Sequence, residues 1–168
     1  AGVEAVSGAV TTVDFRLLPY TTVLADDVEA GPGGWTAAAP WAITDESSAS
    51  PTHSWTDSPG GGDYANYANT ALTSPMLDLS GVTGVSVGFA HSYATESGYD
   101  YCRLEVSADG GASWQEVASW DDSSNGWRTE EVATPQLDGA AQARIRFRLT
   151  SDVSVTADGW HVDDLVVR

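Results

Sequence analysis

The sequence predicts an all-β fold, an antiparallel β-sandwich of the jelly-roll kind, and three observations carry that prediction. Strand-like segments recur in quick succession at residues 72–79, 85–93, 101–107, 114–120, 127–132, 143–150 and 160–167. Clusters of Gly, Pro, Asn and Asp separate them, as turns between short strands require. No window carries the capped, 3.6-residue apolar stripe of an amphipathic helix.

The head of the chain, residues 10–18 (VTTVDFRLL), alternates Val13, Phe15 and Leu17 with Thr12, Asp14 and Arg16, which is strand periodicity, and Pro19 ends it. This strand either pairs into the main sheet or closes a preceding domain. A second short strand over 20–25 runs into Asp26, Asp27 and Glu29 and then into Gly31, Pro32, Gly33 and Gly34. Acids packed ahead of a glycine-rich turn can point several oxygens at one cation; the alternative is a solvated acidic loop. Residues 35–43 (WTAAAPWAI) form an extended piece anchored by tryptophan, and 47–62 reads as a long polar loop in which His53, Trp55 and Asp57 alternate. Asp57 is a further candidate ligand.

Later segments carry their own signatures. Ser107–Trp114, SADGGASW, fits Ser-x-Asp-x-Gly-x-x-Trp and resembles the Asp-box of sialidases and other secreted β-proteins. Turn chemistry accounts for it: Asp109 bonds its own turn, Gly110 and Gly111 supply positive φ, and Trp114 packs beneath. Arg144, Arg146 and Arg148 interleave with Ile145, Phe147 and Leu149, a half-buried strand with one basic face suited to pairing with acidic neighbours. The closing stretch, DGWHVDDLVV, puts Asp163 and Asp164 side by side in a strand, where two adjacent carboxylates need a cation, hydrogen-bond donors or solvent.

Composition narrows the function. The 168 residues suffice for one domain with a sizeable core and a short tail. Seven basic residues, all arginine, stand against 24 acids for a formal charge of -17, a field that repels nucleic acid and anionic membranes and favours divalent cations. No apolar run is long enough to span a bilayer, and no basic stretch precedes an apolar one as in a signal peptide, so any such signal was removed or lies outside this chain. The single cysteine, Cys102, excludes an intrachain disulfide and leaves the compartment open.

Catalysis finds little footing. His53, His91 and His161 are scattered, no HExxH pattern is present and no G-x-S-x-G elbow precedes a helix. Seven tryptophans and six tyrosines exceed what such a core requires. Exposed flat aromatics make platforms for sugar rings; Trp41, Trp55, Trp120 and Trp127 lie at loop edges, and Trp41, Trp55 and Trp127 are the candidate ligand-binding residues, the alternative being that each plugs an end of the sandwich.

LADDVEAGPGGWT, SPTHSWTDSPGG, LTSPMLDLSG, ATESGYDYCRLEVSADGGASW and RIRFRLTSDVSVTADGWHVDDLVV, in this order, resemble the MAM-like jelly-roll module of secreted bacterial peptidases of the immune inhibitor A type and of some zinc carboxypeptidases. The resemblance spans 20–168 and also places the fold near galactose-binding-like sandwiches. It makes 1–19 a linker or the last strand of a preceding regulatory-like β-domain. It implies a secreted, extracellular, non-catalytic accessory domain attached to the catalytic domain of a larger metallopeptidase or other hydrolase, stabilising it or aiding attachment to carbohydrate or protein substrate. It further implies a structural calcium between the first and last strands, held by Asp27 or Glu29 together with Asp57, Asp164 and Asp163. A carbohydrate-binding module using Trp41, Trp55 and Trp127 is the second reading.

Overall fold

The computed structural model describes residues 21–168. The linker at 1–19 and the strand expected over 10–18 lie outside the described residues. Two antiparallel sheets face each other, as the alternation predicts. One contains β3 (Ala42–Thr44), β4 (Ser54–Thr56), β11 (Gly159–Val167), β6 (Ser86–Ala94) and β9 (Arg128–Ala133) in that order, with β1 (Leu24–Asp26) also paired to β11. The other runs β2 (Thr36–Ala37), β5 (Asn69–Thr73), β10 (Arg144–Thr150), β7 (Tyr101–Ser107) and β8 (Gln115–Trp120). The described residues hold one short 3-10 turn, Pro135–Leu137, and no helix among them is long and apolar enough to cross a membrane.

Period-two patterning sets what each sheet buries. On β10, Ile145, Phe147 and Leu149 are wholly buried while Arg144, Arg146 and Arg148 face outward. Arg146 and Arg148 both bond Glu105 of β7, at 2.5 and 2.7 Å, so the basic face pairs with an acid as its composition suggests. Behind it, Trp160 of β11 lies at the centre of the sandwich, its ring centroid 5.4 Å from Phe147, 6.0 Å from Trp120 and 6.2 Å from both Trp41 and His91. The Asp-box turn forms as its residues dictate: Asp109 accepts from the Ser113 amide at 2.9 Å and from the hydroxyls of Ser113 and Ser107 at 2.6 and 2.7 Å.

Two expectations are corrected. The strand expected over 72–79 ends at Thr73, because Pro75 interrupts the ladder and only Leu77 re-engages, in an isolated bridge to Ala143. The polar stretch 47–62 is not one loop: it contains β4, buried on both sides between β3 and β11.

Candidate functional site: a walled cleft on the β11 face

The closing strand is the frame of the site. β11 pairs β4 along His161–Val162 and β1 along Leu165–Val167, and between these its register against β6 slips, from Asp163 opposite Ala90 to Val166 opposite Gly88. That irregularity separates the two adjacent acids. Asp163 is fully buried on the outer face, whereas Asp164, at φ 50°, is exposed at the bulge.

Asp163 is buried because the segment 45–53 folds over it. Its Oδ2 accepts from the amides of Ala49 and Ser50 at 2.8 and 3.0 Å, and its Oδ1 from the amide of Asp164 at 2.7 Å. Burial pushes its carboxyl above the usual range, and the three amides work against that rise. Glu29 pins the far end of the same segment, accepting from the amides of Thr52 and His53 at 2.6 and 2.7 Å, with the Thr52 hydroxyl and the His53 ring at 3.1 Å. The His53 amide, with Thr52, holds the Glu29 carboxyl down at about 2. Ser54 Oγ donates to the Ser47 carbonyl at 2.7 Å and completes the attachment.

The pinned segment becomes one wall of a cleft of about 310 Å³. Trp127, Arg128 and Thr129 also line it, Ala49 and Ala90 give it small apolar surfaces, and Ser48 and Asp164 add polar groups. Trp127 is half-buried and its ring is oriented by two contacts: Nε1 donates to Ser47 Oγ at 3.0 Å, and the ring meets His161 at 6.3 Å between centroids. Asp164 also borders a second cleft, of about 240 Å³, shared with Asp26 and Asp27.

The sequence-predicted residues thus fall into separate groups. Trp41 and Trp55 are 4% and 3% exposed and present no face to a sugar ring, a correction to their reading as platforms; Trp127 alone of the three lines a cleft. Asp27 and Asp164 share a cleft, Asp163 and Glu29 are acceptors for backbone amides, and Asp57 lies near the opposite end of β11, bonded to the Trp160 amide at 2.7 Å. A calcium shell wants six to eight oxygens converging on one point. Among the described residues, no three of these five acids have ligand oxygens within 4.8 Å of one another. Among the described residues, the group of three or more potential ligands within 4.8 Å of one another is Glu96, Asp100 and Asp152, in loops the sequence did not single out. A chelator melt tests the expected calcium: saturation of a site a hundredfold over its Kd adds about 2.7 kcal/mol, whereas melting temperatures in EDTA and in millimolar calcium that agree within about 1 °C count against one.

Sequence reasoning missed Ser48, Ala90, Arg128 and Thr129, which carry no motif; they meet through the pairing of β6 with β9 and β11 and the return of a distant loop.

No protein-family profile matches the chain. Bacillopeptidase F of Bacillus subtilis (strain 168) is 26% identical over 148 residues, covering 84% of this chain and 10% of that protein, so the chain spans about a tenth of that relative's length. The K1 cleaved adhesin domain of Lys-gingipain from Porphyromonas gingivalis W83 superposes with a TM-score of 0.62 at 15% identity, covering 89% of this chain and 98% of that one. TmCBM61 in complex with β-1,4-galactotriose gives 0.59 at 13%, covering 89% and 99%, and the xylan-binding domain from CBM 22 gives 0.56 at 13%, covering 87% and 93%. At these identities the likeness to solved structures establishes the fold, the jelly-roll β-sandwich of adhesin and carbohydrate-binding domains.

Proposed function

We propose that this chain is a non-catalytic binding module of a larger secreted protein, a peptidase or other hydrolase, and that the Trp127 cleft takes a sugar ring. One observation carries the reading: an indole whose orientation is set by Ser47 and His161 stands in a cleft also lined by segment 45–53, which is held by four backbone amides bonded to Asp163 and Glu29. The apolar face of a pyranose stacks on such a ring, while its hydroxyls find Ser48, Thr129, Arg128 and Asp164 around it. A wall ordered before binding spares the ligand the entropy of organising it. The weak peptidase relative and the adhesin and carbohydrate-binding folds support the reading at the level of architecture.

Its test is a glycan array probed with the folded chain, followed by titration of the best glycan. Binding is expected, and Trp127→Ala should weaken it by at least about tenfold, or about 1.4 kcal/mol. A silent array with a folded sample, or a Trp127→Ala variant that binds as well as the parent, overturns the assignment.

A further inference from the structure

Five large hydrophobic residues are exposed among the described residues, and four of them lie at one end of the sandwich: Tyr67 (72%), Tyr99 (62%), Val155 (60%) and Val153 (56%). They belong to three loops, 63–68, 95–100 and 151–158. The ladders bring these loops to one end, because Thr150 pairs both Asn69 and Tyr101, and Ala94 pairs Gly159. Apolar side chains displayed together on loops mark interaction surfaces, and tyrosine gives contact area at low conformational cost.

These loops are cross-linked. Asp100, fully buried, accepts from the Tyr64 hydroxyl at 2.6 Å and from the Asp152 amide at 2.7 Å. Tyr67 donates its amide to the Asp152 carbonyl at 2.6 Å, and the Ser151 hydroxyl donates to the Ala65 carbonyl at 2.7 Å. Tyr67 and Val155 sit at φ 58° and 54°. A β-branched residue pays for left-handed backbone, and the side chain of Val155, mostly exposed among the described residues, offsets little of the cost by burial.

Charge identifies what fits. The three loops carry Asp63, Glu96, Asp100, Asp152 and Asp158 and no Lys, Arg or His. Carboxylate oxygens of Glu96, Asp100 and Asp152 lie within 4.8 Å of one another, and Asp100 and Asp152 adjoin Tyr99 and Val153 in the chain. We propose that this end of the sandwich is a docking surface for a protein segment combining basic and aliphatic side chains: Tyr67, Tyr99, Val153 and Val155 cover its apolar groups while a Lys or Arg meets the acidic loops. A saccharide would use the tyrosines and the acids but leave two exposed valines unexplained. This surface is separate from the Trp127 cleft, so either assignment can fail without the other.

The probe is a short peptide of alternating Arg and Leu, with an alternating Glu and Leu peptide as control, titrated into the 168-residue chain at physiological salt while backbone amide shifts are mapped. The Arg peptide is expected to shift amides of the three loops, and the Glu peptide to shift none. Tyr67→Ser and Val155→Gly should each weaken binding by at least about fivefold. Val155→Gly should also hold or raise the melting temperature, since glycine accepts this backbone; loss of binding without loss of stability separates a contact residue from a structural one. Shifts scattered over the acidic surface, or Tyr67→Ser and Val155→Gly variants that bind like the parent, overturn the proposal. So does calcium alone shifting the same amides and blocking the peptide, which would make the acids a cation site.

Discussion

Replacing Asp57 by Asn is expected to stabilise the protein at neutral pH by on the order of 4 kcal/mol and to remove one component of its pH dependence. Asp57 is fully buried; its Oδ1 accepts from the Trp160 amide at 2.7 Å, and its Oδ2 has no partner among the described residues. The carboxylate is hemmed in at the Gly159 backbone, where a Cβ would lie 2.5 Å from Oδ1. Burial, with the charge of Asp158 adding to it, pushes the carboxyl up to about 7 from an ordinary 3.8. The sign follows from which state holds the proton. Between pH 3.8 and 7 the native protein keeps this proton and the unfolded chain has released it, so stability from this group falls as pH rises through the window and is lowest above it. His91 runs the other way: buried, it is held down to about 4 from 6.5, so its contribution rises with pH between those values and partly masks Asp57 in the parent. Asparagine keeps the acceptor for the Trp160 amide and has no charge to bury. Denaturant melts of parent and Asp57→Asn at pH 4, 5.5 and 8 should give a stability difference that grows with pH. Parallel profiles would show that Asp57 is ionised at no unusual cost.

Asp163→Ala should cost about 3 kcal/mol, because it strips the amides of Ala49, Ser50 and Asp164 of their acceptor beneath a folded segment. In a domain of this size that lowers the melting temperature by about 6–12 °C. The loss should be local before it is global: amide exchange at Ala49 and Ser50 accelerates more than that of the β10 ladder. Asp164→Asn, at the exposed bulge with a residue that tolerates left-handed backbone, is expected to change stability by less than about 0.5 kcal/mol. Similar effects at both positions would refute the division of labour between the two acids. Because segment 45–53 walls the Trp127 cleft, Asp163→Ala should also weaken any ligand of that cleft, without touching it.

Particular residues show how far local pattern reaches. Alternation in RIRFRLT sets both the strand β10 and its buried face, since a period of two leaves no other way to hide Ile145, Phe147 and Leu149 together. SADGGASW folds from its own hydrogen-bonding capacity, within four residues of Asp109. β4 was read as loop although His53, Trp55 and Asp57 alternate across it, because Ser54, Trp55 and Thr56 are all buried and a polar-apolar alternation appears only where one face meets water. Tryptophan placement was equally hidden: a position at a loop edge does not say whether the ring points into the sandwich, as Trp41 does against Trp160, or out, as Trp127 does.

The closing strand joins the two kinds of information. That DGWHVDDLVV is a strand with a costly pair of acids was readable from residue chemistry alone, as was the need for a counterpart. The counterpart was not. Oδ2 of Asp163 is satisfied by two amides more than a hundred positions away, and a register slip turns Asp164 to solvent. Periodicity and turn chemistry act within a few residues, so they are written in the local sequence. The identity of the donors that meet a buried carboxylate depends on which distant backbone packs against it, and that is decided only when the sheets assemble.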